Sequence, residues 1–180
     1  MNITGERVAL GSLHRGLLPL LTRWENDFPT IDLGGDTPTP QSPEAVAATW
    51  EKLIAGERAG WIGFAIYELP GLRPIGVTNL RDIGGPHRTA EFGITITELE
   101  LRGRGYGTET TRLVLGYAFR TLGLQNVLLD TTADNVAALR CYAKAGFREI
   151  GHRRQAHWRD GKAIDIVFMD CLSDDFLAGR

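Results

Sequence analysis

The stretch "LELRGRGYGTETTRLVLGYAF", residues 99–119, sets three glycines and two arginines directly ahead of an amphipathic run. A helix N-terminus leaves backbone N–H groups without intrahelical partners and carries a partial positive charge. Glycines before it let an anion approach the backbone with no Cβ in the way. Arg102 and Arg104 add mobile positive charge suited to phosphate oxygens. Chemically the stretch reads as a phosphate cradle. The plainer alternative is a tight strand-to-helix turn whose glycines serve geometry alone.

Two rival cradles fail on spacing. A P-loop ends in Gly-Lys-Ser/Thr, whereas Gly107 is followed by Thr108 and Glu109. A dinucleotide fingerprint counted from Gly103 and Gly105 puts Thr108 where its last glycine belongs, although Asp130 does stand about twenty residues downstream.

On the N-terminal side, "AEFGITITE" alternates Phe92, Ile94 and Ile96 against Glu91, Gly93 and Thr95, the period of a strand. On the other side Leu113, Val114, Tyr117, Ala118, Thr121 and Leu122 predict a helix from about Thr108 to Leu122, ending at Gly123. "NVLLDTT" reads as a strand and "ADNVAALRCYAKAG" as a helix, with Asp134 as its N-cap and Gly146 as its stop. Residues 90–132 have the crossover length of a parallel pair. "FREIGHRRQAHW" and "KAIDIVFMDCL" flank Asp160-Gly161, a hairpin signal, and the charges of the first suit a sheet edge.

Nearer the start, "ERVALGSL" reads as a strand and "PLLTRWEN" as a short helix. "SPEAVAATWEKLIAG" carries the helix start Ser42-Pro43-Glu44, and "WIGFAIYEL" with "RPIGVTNLRDI" forms a hairpin. "DFPTIDLGGDTPTPQ" has no period of either kind and reads as a long loop. The expected architecture is one α+β domain over residues 1–180, with 173–180 as a tail and a mixed, mostly antiparallel sheet of about seven strands flanked by helices.

Composition bounds the function. A net charge of −2 gives no general affinity for nucleic acid. Cys141 and Cys171 form neither a framework nor a CxxC, which points to a reducing compartment. "MNITGERVAL" lacks the basic start and apolar core of a signal peptide, and no apolar run reaches spanning length, so a cytoplasmic, membrane-free protein is expected. His14, His87, His152 and His157 lack metal spacing and read as surface or hairpin residues, so no metal is expected.

Two motifs then carry a resemblance. Arg102-Gly103-Arg104-Gly105-Tyr106-Gly107 matches the R/Q-x-x-G-x-G/A signature of the GNAT acetyltransferase superfamily, and "DNVAALRCYAKAGF" resembles its second signature. The resemblance runs from "RVALGSL" to "VFMDCL" and is nearest the branch of ribosomal-protein alanine and spermidine acetyltransferases. It implies a central parallel pair, residues 90–97 and 126–132, that splays apart, and acetyl-CoA as cosubstrate. The pyrophosphate would meet backbone N–H groups from Arg104 through Gly105, Tyr106 and Gly107 to Thr108, with Arg102 contributing charge. The pantetheine arm would lie in the splay, near Asn135, and a backbone N–H near Ile96 would polarise the thioester carbonyl.

The same resemblance makes Tyr142 the general acid for the departing thiolate, since a phenol of reference pKa about 10 stays protonated near neutrality. On periodicity alone Tyr142 is a core aromatic beside Ala138, Leu139 and Ala145. For the base there are two candidates, Asp130 at the end of its strand and Glu91 at the start of the other, each equally readable as a strand-end charge. An amine already partly neutral needs no dedicated base.

The resulting expectation is an acetyl-CoA-dependent N-acetyltransferase acting directly on a primary amine. Glu25, Asp27, Asp32 and Asp36, with Trp24 and Phe28 among them, favour a small cationic amine or polyamine over a protein N-terminus. The alternatives are a non-catalytic acyl-CoA-binding regulatory module and a nucleotide binder using the glycine turn. A homodimer is expected from the branch.

Overall fold

The computed structural model describes residues 1–179, apart from the side chain of Leu99. In order come β1 (Ile3–Thr4), β2 (Val8–Ser12), α1 (Leu18–Trp24), α2 (Phe28–Gly34), α3 (Pro43–Ile54), β3 (Ile62–Glu68), β4 (Arg73–Gly84) and β5 (Thr89–Ile96). Then follow α4 (Tyr106–Arg120), β6 (Asn126–Thr132), α5 (Val136–Ala145), β7 (Arg148–Arg159), β8 (Lys162–Leu172) and α6 (Ser173–Ala178). One eight-stranded sheet runs β1-β2-β3-β4-β5-β6-β8-β7, antiparallel throughout except between β5 and β6. The mixed α+β architecture is the expected one, and the eighth strand is the two-residue β1 on the edge.

Alternation divides the sheet into two faces. Phe92, Val127 and Leu129 turn toward α4 and α5, where Val114, Leu115, Ala118 and Phe147 complete the main core. Ala65, Tyr67 and Val77 turn the other way, under Leu21 and Trp24 of α1 and Val46 and Trp50 of α3. Each such Leu or Val, taken out of water, contributes about 1.5–3 kcal/mol before the entropy of ordering is counted.

The parallel pair is short. Thr89, Ala90 and Glu91 pair with Asn126, Val127 and Leu128, and there the pairing ends. β5 continues beside β4 to Ile96, and β6 beside β8 to Thr132, so the two strands separate beyond Glu91. The expected splay is present, and the sheet opens at its centre.

Three expectations are corrected. Residues 28–34 are helical, because Pro29 suits the first turn and the turn closes through Thr30 N–H to the Asp27 carbonyl at 3.0 Å and Thr30 Oγ1 to Asp27 Oδ2 at 2.5 Å. Gly35, at φ 105°, ends it. The N-cap of α5 is Asn135, whose Oδ1 accepts from Ala138 N–H at 3.3 Å, while the neighbouring Asp134 binds Arg159 instead. Residues 173–178, expected within a tail, form α6, and Phe176 packs on Phe119 with ring centroids 5.5 Å apart.

Candidate active site

Gly103 and Gly105 both hold positive φ, 74° and 89°, so the backbone before α4 curls into a turn that a side-chain-bearing residue enters only with strain. A Cβ at Gly105 would meet Arg7 Nη1 at 2.6 Å, and one at Gly107 would stand 3.1 Å from Cys141 Sγ. Gly105 and Gly107 thus let Arg7 and Cys141 approach the backbone closely, while Gly103 borders open space, and the first-turn N–H groups of α4 lie next to this turn.

The side chains around this turn are partly engaged. Arg7 Nη1 donates to the Arg104 carbonyl at 3.3 Å. Tyr106 donates its hydroxyl to Glu68 at 2.6 Å, a bond that raises the phenol's pKa. Thr108 Oγ1 reaches Cys141 Sγ at 3.4 Å. Arg102 turns away from the helix start, donating to Thr30 Oγ1 at 2.7 Å and to the Ile96 carbonyl at 3.4 Å. Glu109 accepts from Arg7 N–H at 3.0 Å and so ties the N-terminal segment to α4.

Below the cradle lies the gap between β5 and β6. Tyr142 of α5 packs into the main core, its ring buried edge-on to Phe92 and Phe147 at 6.3 and 6.0 Å. Burial raises its pKa far above the usual phenol range, and Cys141 and Asp130 raise it further. Asn135, besides capping α5, donates to Thr131 Oγ1 at 3.1 Å and to the Leu33 carbonyl at 3.2 Å. The Ile96 side chain flanks the gap, in ordinary contact distance of the space at Gly107.

Both candidate bases sit on the face opposite Phe92. Glu91 is ion-paired with Arg81, its cross-strand neighbour. Asp130 is pushed above the usual carboxylate range by burial first, then by the negative charge of Glu91, with Arg81 opposing. Gly93 leaves the room for this, since a Cβ there would crowd Asn79 and Arg81 at 3.1 and 3.2 Å.

On that same face a cavity of about 290 Å³ is lined by Trp24, Glu25, Ile31, Asp36, Trp50 and Thr95 among others. Glu25 is raised above the usual carboxylate range by burial, against the Trp50 Nε1 hydrogen bond of 3.1 Å, and further by Asp36. Asp36 also raises Asp130. The cavity and the gap thus share one negative field, a setting for a cation beside a phosphate cradle. Of the expected acidic residues, Glu25 and Asp36 line the cavity and Asp27 closes the first turn of α2. Asp32 faces away, toward Arg159 and His157.

His157 and Arg159 lie on β7, a hairpin strand at the edge of the sheet as expected for this stretch, yet their side chains are only 10% and 15% exposed. Arg7 and Trp50 also escaped sequence reasoning, because nothing local marks a residue whose partner is supplied by a distant element.

The sequence pattern of the acetyltransferase (GNAT) domain matches residues 12–148. The spermidine N(1)-acetyltransferase of Vibrio cholerae is 32% identical over 103 residues, 57% of this chain and 59% of that protein. A putative ribosomal N-acetyltransferase of Bacillus subtilis is 28% identical over 101 residues, 56% of this chain and 55% of that protein. The chain therefore spans less than two thirds of the length of the curated relatives it matches. A crystal structure of spermidine N-acetyltransferase from Vibrio cholerae, in complex with CoA and spermine, superposes with a TM-score of 0.85 at 26% identity, covering 95% of this chain and 98% of that one. With the glycine cradle, the splayed strands and the matched pattern in agreement, the chain belongs to the GNAT acetyltransferase family.

Proposed function

We propose that this protein transfers the acetyl group of acetyl-CoA directly to a primary amine of a small polycationic acceptor, a polyamine foremost. The observation that carries the acceptor class is the cavity holding Glu25 and Asp36, which opens on the face where Asp130 and Glu91 stand. The related enzyme crystallised with CoA and spermine supports the same choice.

Acetyl-CoA supplies the activated acyl group. The N–H groups from Arg104 to Thr108 would hold its pyrophosphate against the positive end of α4, and the gap beyond Glu91 would take the arm. A backbone N–H near Ile96 would face the thioester oxygen. Asp130 takes a proton from the incoming ammonium, directly or through one water, so that the nitrogen lone pair is free to attack. Its raised pKa brings its basicity nearer to that of the group it deprotonates. Tyr142 donates its proton to the sulfur as the carbon–sulfur bond breaks, and the phenolate so formed takes up the proton that the new amide nitrogen releases. The raised pKa of Tyr142 keeps its proton in place until the sulfur departs. Glu25 and Asp36 hold the distal positive charge and thereby set which nitrogen faces Asp130.

Two further proposals come from the same reading. The free thiols Cys141 and Cys171 support a reducing, cytoplasmic setting, and among the described residues no helix is long and apolar enough to cross a membrane. A homodimer is the proposed assembly, checked by light scattering.

The cosubstrate half is tested by calorimetric titration with acetyl-CoA, with NAD and ATP as competitors. Saturable acetyl-CoA binding that neither competitor displaces is expected. Equal competition by ATP or NAD would return the glycine turn to a general nucleotide site.

A further inference from the structure

We infer that Arg159 is a positioning residue of the acceptor cavity: it clamps α2 against the β7–β8 hairpin and so fixes the cavity wall formed by Thr30, Ile31 and Gly34. The inference rests on the acceptor reading of that cavity.

α2 has seven residues and none of them is buried. A helix this short has no stability of its own, and without an apolar anchor its place depends on polar tethers. On its C-terminal side Gly35 leads into the proline-containing segment 36–41, which is tied back at its end, where Gln41 and Asn26 bond each other at 3.0 Å. Arg102 donates to Thr30 Oγ1 on the cavity side at 2.7 Å, and the remaining tethers lie on the outer side. Arg159 donates Nε to the Asp32 carboxylate and Nη2 to the Asp32 carbonyl, while its Nη1 reaches Asp134 Oδ2 at 2.7 Å. His157 Nε2 meets Asp32 Oδ1 at 2.8 Å. Thr132 Oγ1 and Asn135 Nδ2 both bond the Leu33 carbonyl, at 2.9 and 3.2 Å.

Arg159 joins three elements: the hairpin that carries it, α2 through two acceptors, and the start of α5 through Asp134. A planar guanidinium serves such a set of acceptors in fixed directions, which an ammonium does not. Burial would raise the Asp32 carboxyl, yet Arg159 and His157 outweigh it and hold the carboxyl below its usual range. Being largely shielded from solvent, the cluster is less screened than surface pairs. α2 presents Thr30, Ile31 and Gly34 inward while Asp32 is held outward, so the clamp sets the cavity's width without touching the acceptor.

The test compares Arg159→Met, Arg159→Lys and Asp32→Asn with the unaltered protein, varying spermidine and acetyl-CoA separately, and follows amide hydrogen exchange in α2 and α4. In Arg159→Met the spermidine KM should rise about tenfold, with kcat and the acetyl-CoA KM within about twofold. Exchange in α2 should quicken while α4 stays protected. Arg159→Lys should restore part of both effects, and Asp32→Asn should add little to Arg159→Met. If Arg159→Met does not fold, Arg159→Lys carries the test, since it keeps the charge and loses the fork. An unchanged spermidine KM with unchanged α2 exchange would overturn the inference, as would both KM values and α4 exchange rising together. If the unaltered protein acetylates no amine, the acceptor reading fails on its own, and α2 exchange then decides the clamp.

Discussion

Asp130 stands beside Glu91 where β5 and β6 part, and Glu91 is ion-paired with Arg81. One carboxylate is thus matched by a cation, and the other is left partly buried in its neighbour's negative field. That asymmetry separates a fixed charge from a proton acceptor.

The sign of the Asp130 shift gives the first prediction. Its folded pKa lies above the unfolded 3.8, so the protonated form is the one the fold favours. That contribution is present below the unfolded pKa and is lost as pH rises through the folded value. Asp130→Asn should therefore raise Tm at pH 7, by about 2–4 °C for each kcal/mol relieved, and the gain should vanish in acid. The same variant should lower kcat by about 10²-fold or more. The acidic limb of kcat/KM in the unaltered protein should lie above the ordinary aspartate range.

Tyr142→Phe keeps the ring that packs on Phe92 and Phe147 and removes only the proton donor. Acetyl-CoA affinity by calorimetry should be nearly unchanged, while kcat falls about 10²-fold or more. Because burial raises the Tyr142 pKa, no loss of activity from its ionisation should appear across the neutral to mildly alkaline range. An unaltered kcat would make Tyr142 a core aromatic and nothing more.

At Gly105 the backbone conformation is the restriction, and the side chain of Arg7 would have to move as well. Gly105→Ala must hold φ 89° and set a Cβ 2.6 Å from Arg7 Nη1. The variant should lose about 1 kcal/mol of stability, and acetyl-CoA should bind at least about tenfold more weakly. Spermidine KM at saturating acetyl-CoA should move little, which isolates the cradle from the acceptor cavity.

Glu25→Gln removes a half-buried carboxylate but retains an acceptor for Trp50 Nε1. Spermidine KM should rise roughly tenfold, and a monoamine of similar length should be affected much less. Equal effects on both amines would remove Glu25 from recognition of a distal charge.

The glycine turn and the strands and helices around it were legible because each has a local signature, glycines at fixed offsets or a clear period of two or 3.6 residues. The splay of the parallel pair, by contrast, was implied only by the family resemblance. α2 was not legible, since seven residues hold too few turns to show a period and its proline reads as loop chemistry. Asp134 and Asn135 are both good N-caps, and the choice between them is made by Arg159, which takes Asp134. The pairing of Arg159 and His157 with Asp32 was not legible because Asp32 lies far away along the chain. The conjunction of Asp130 with Glu91 was nearly visible, as both were singled out, but only the parallel register brings them onto one face. Tertiary pairing decided each of these, and sequence periodicity carries none of it.

The most direct test is mass spectrometry of spermidine incubated with acetyl-CoA and the purified protein, with CoA release followed in parallel. The account predicts mono-acetylated spermidine in step with CoA, strongly reduced for Tyr142→Phe and Asp130→Asn. Acetyl-CoA bound by the folded protein, with no acetylated amine and no CoA released, would contradict it.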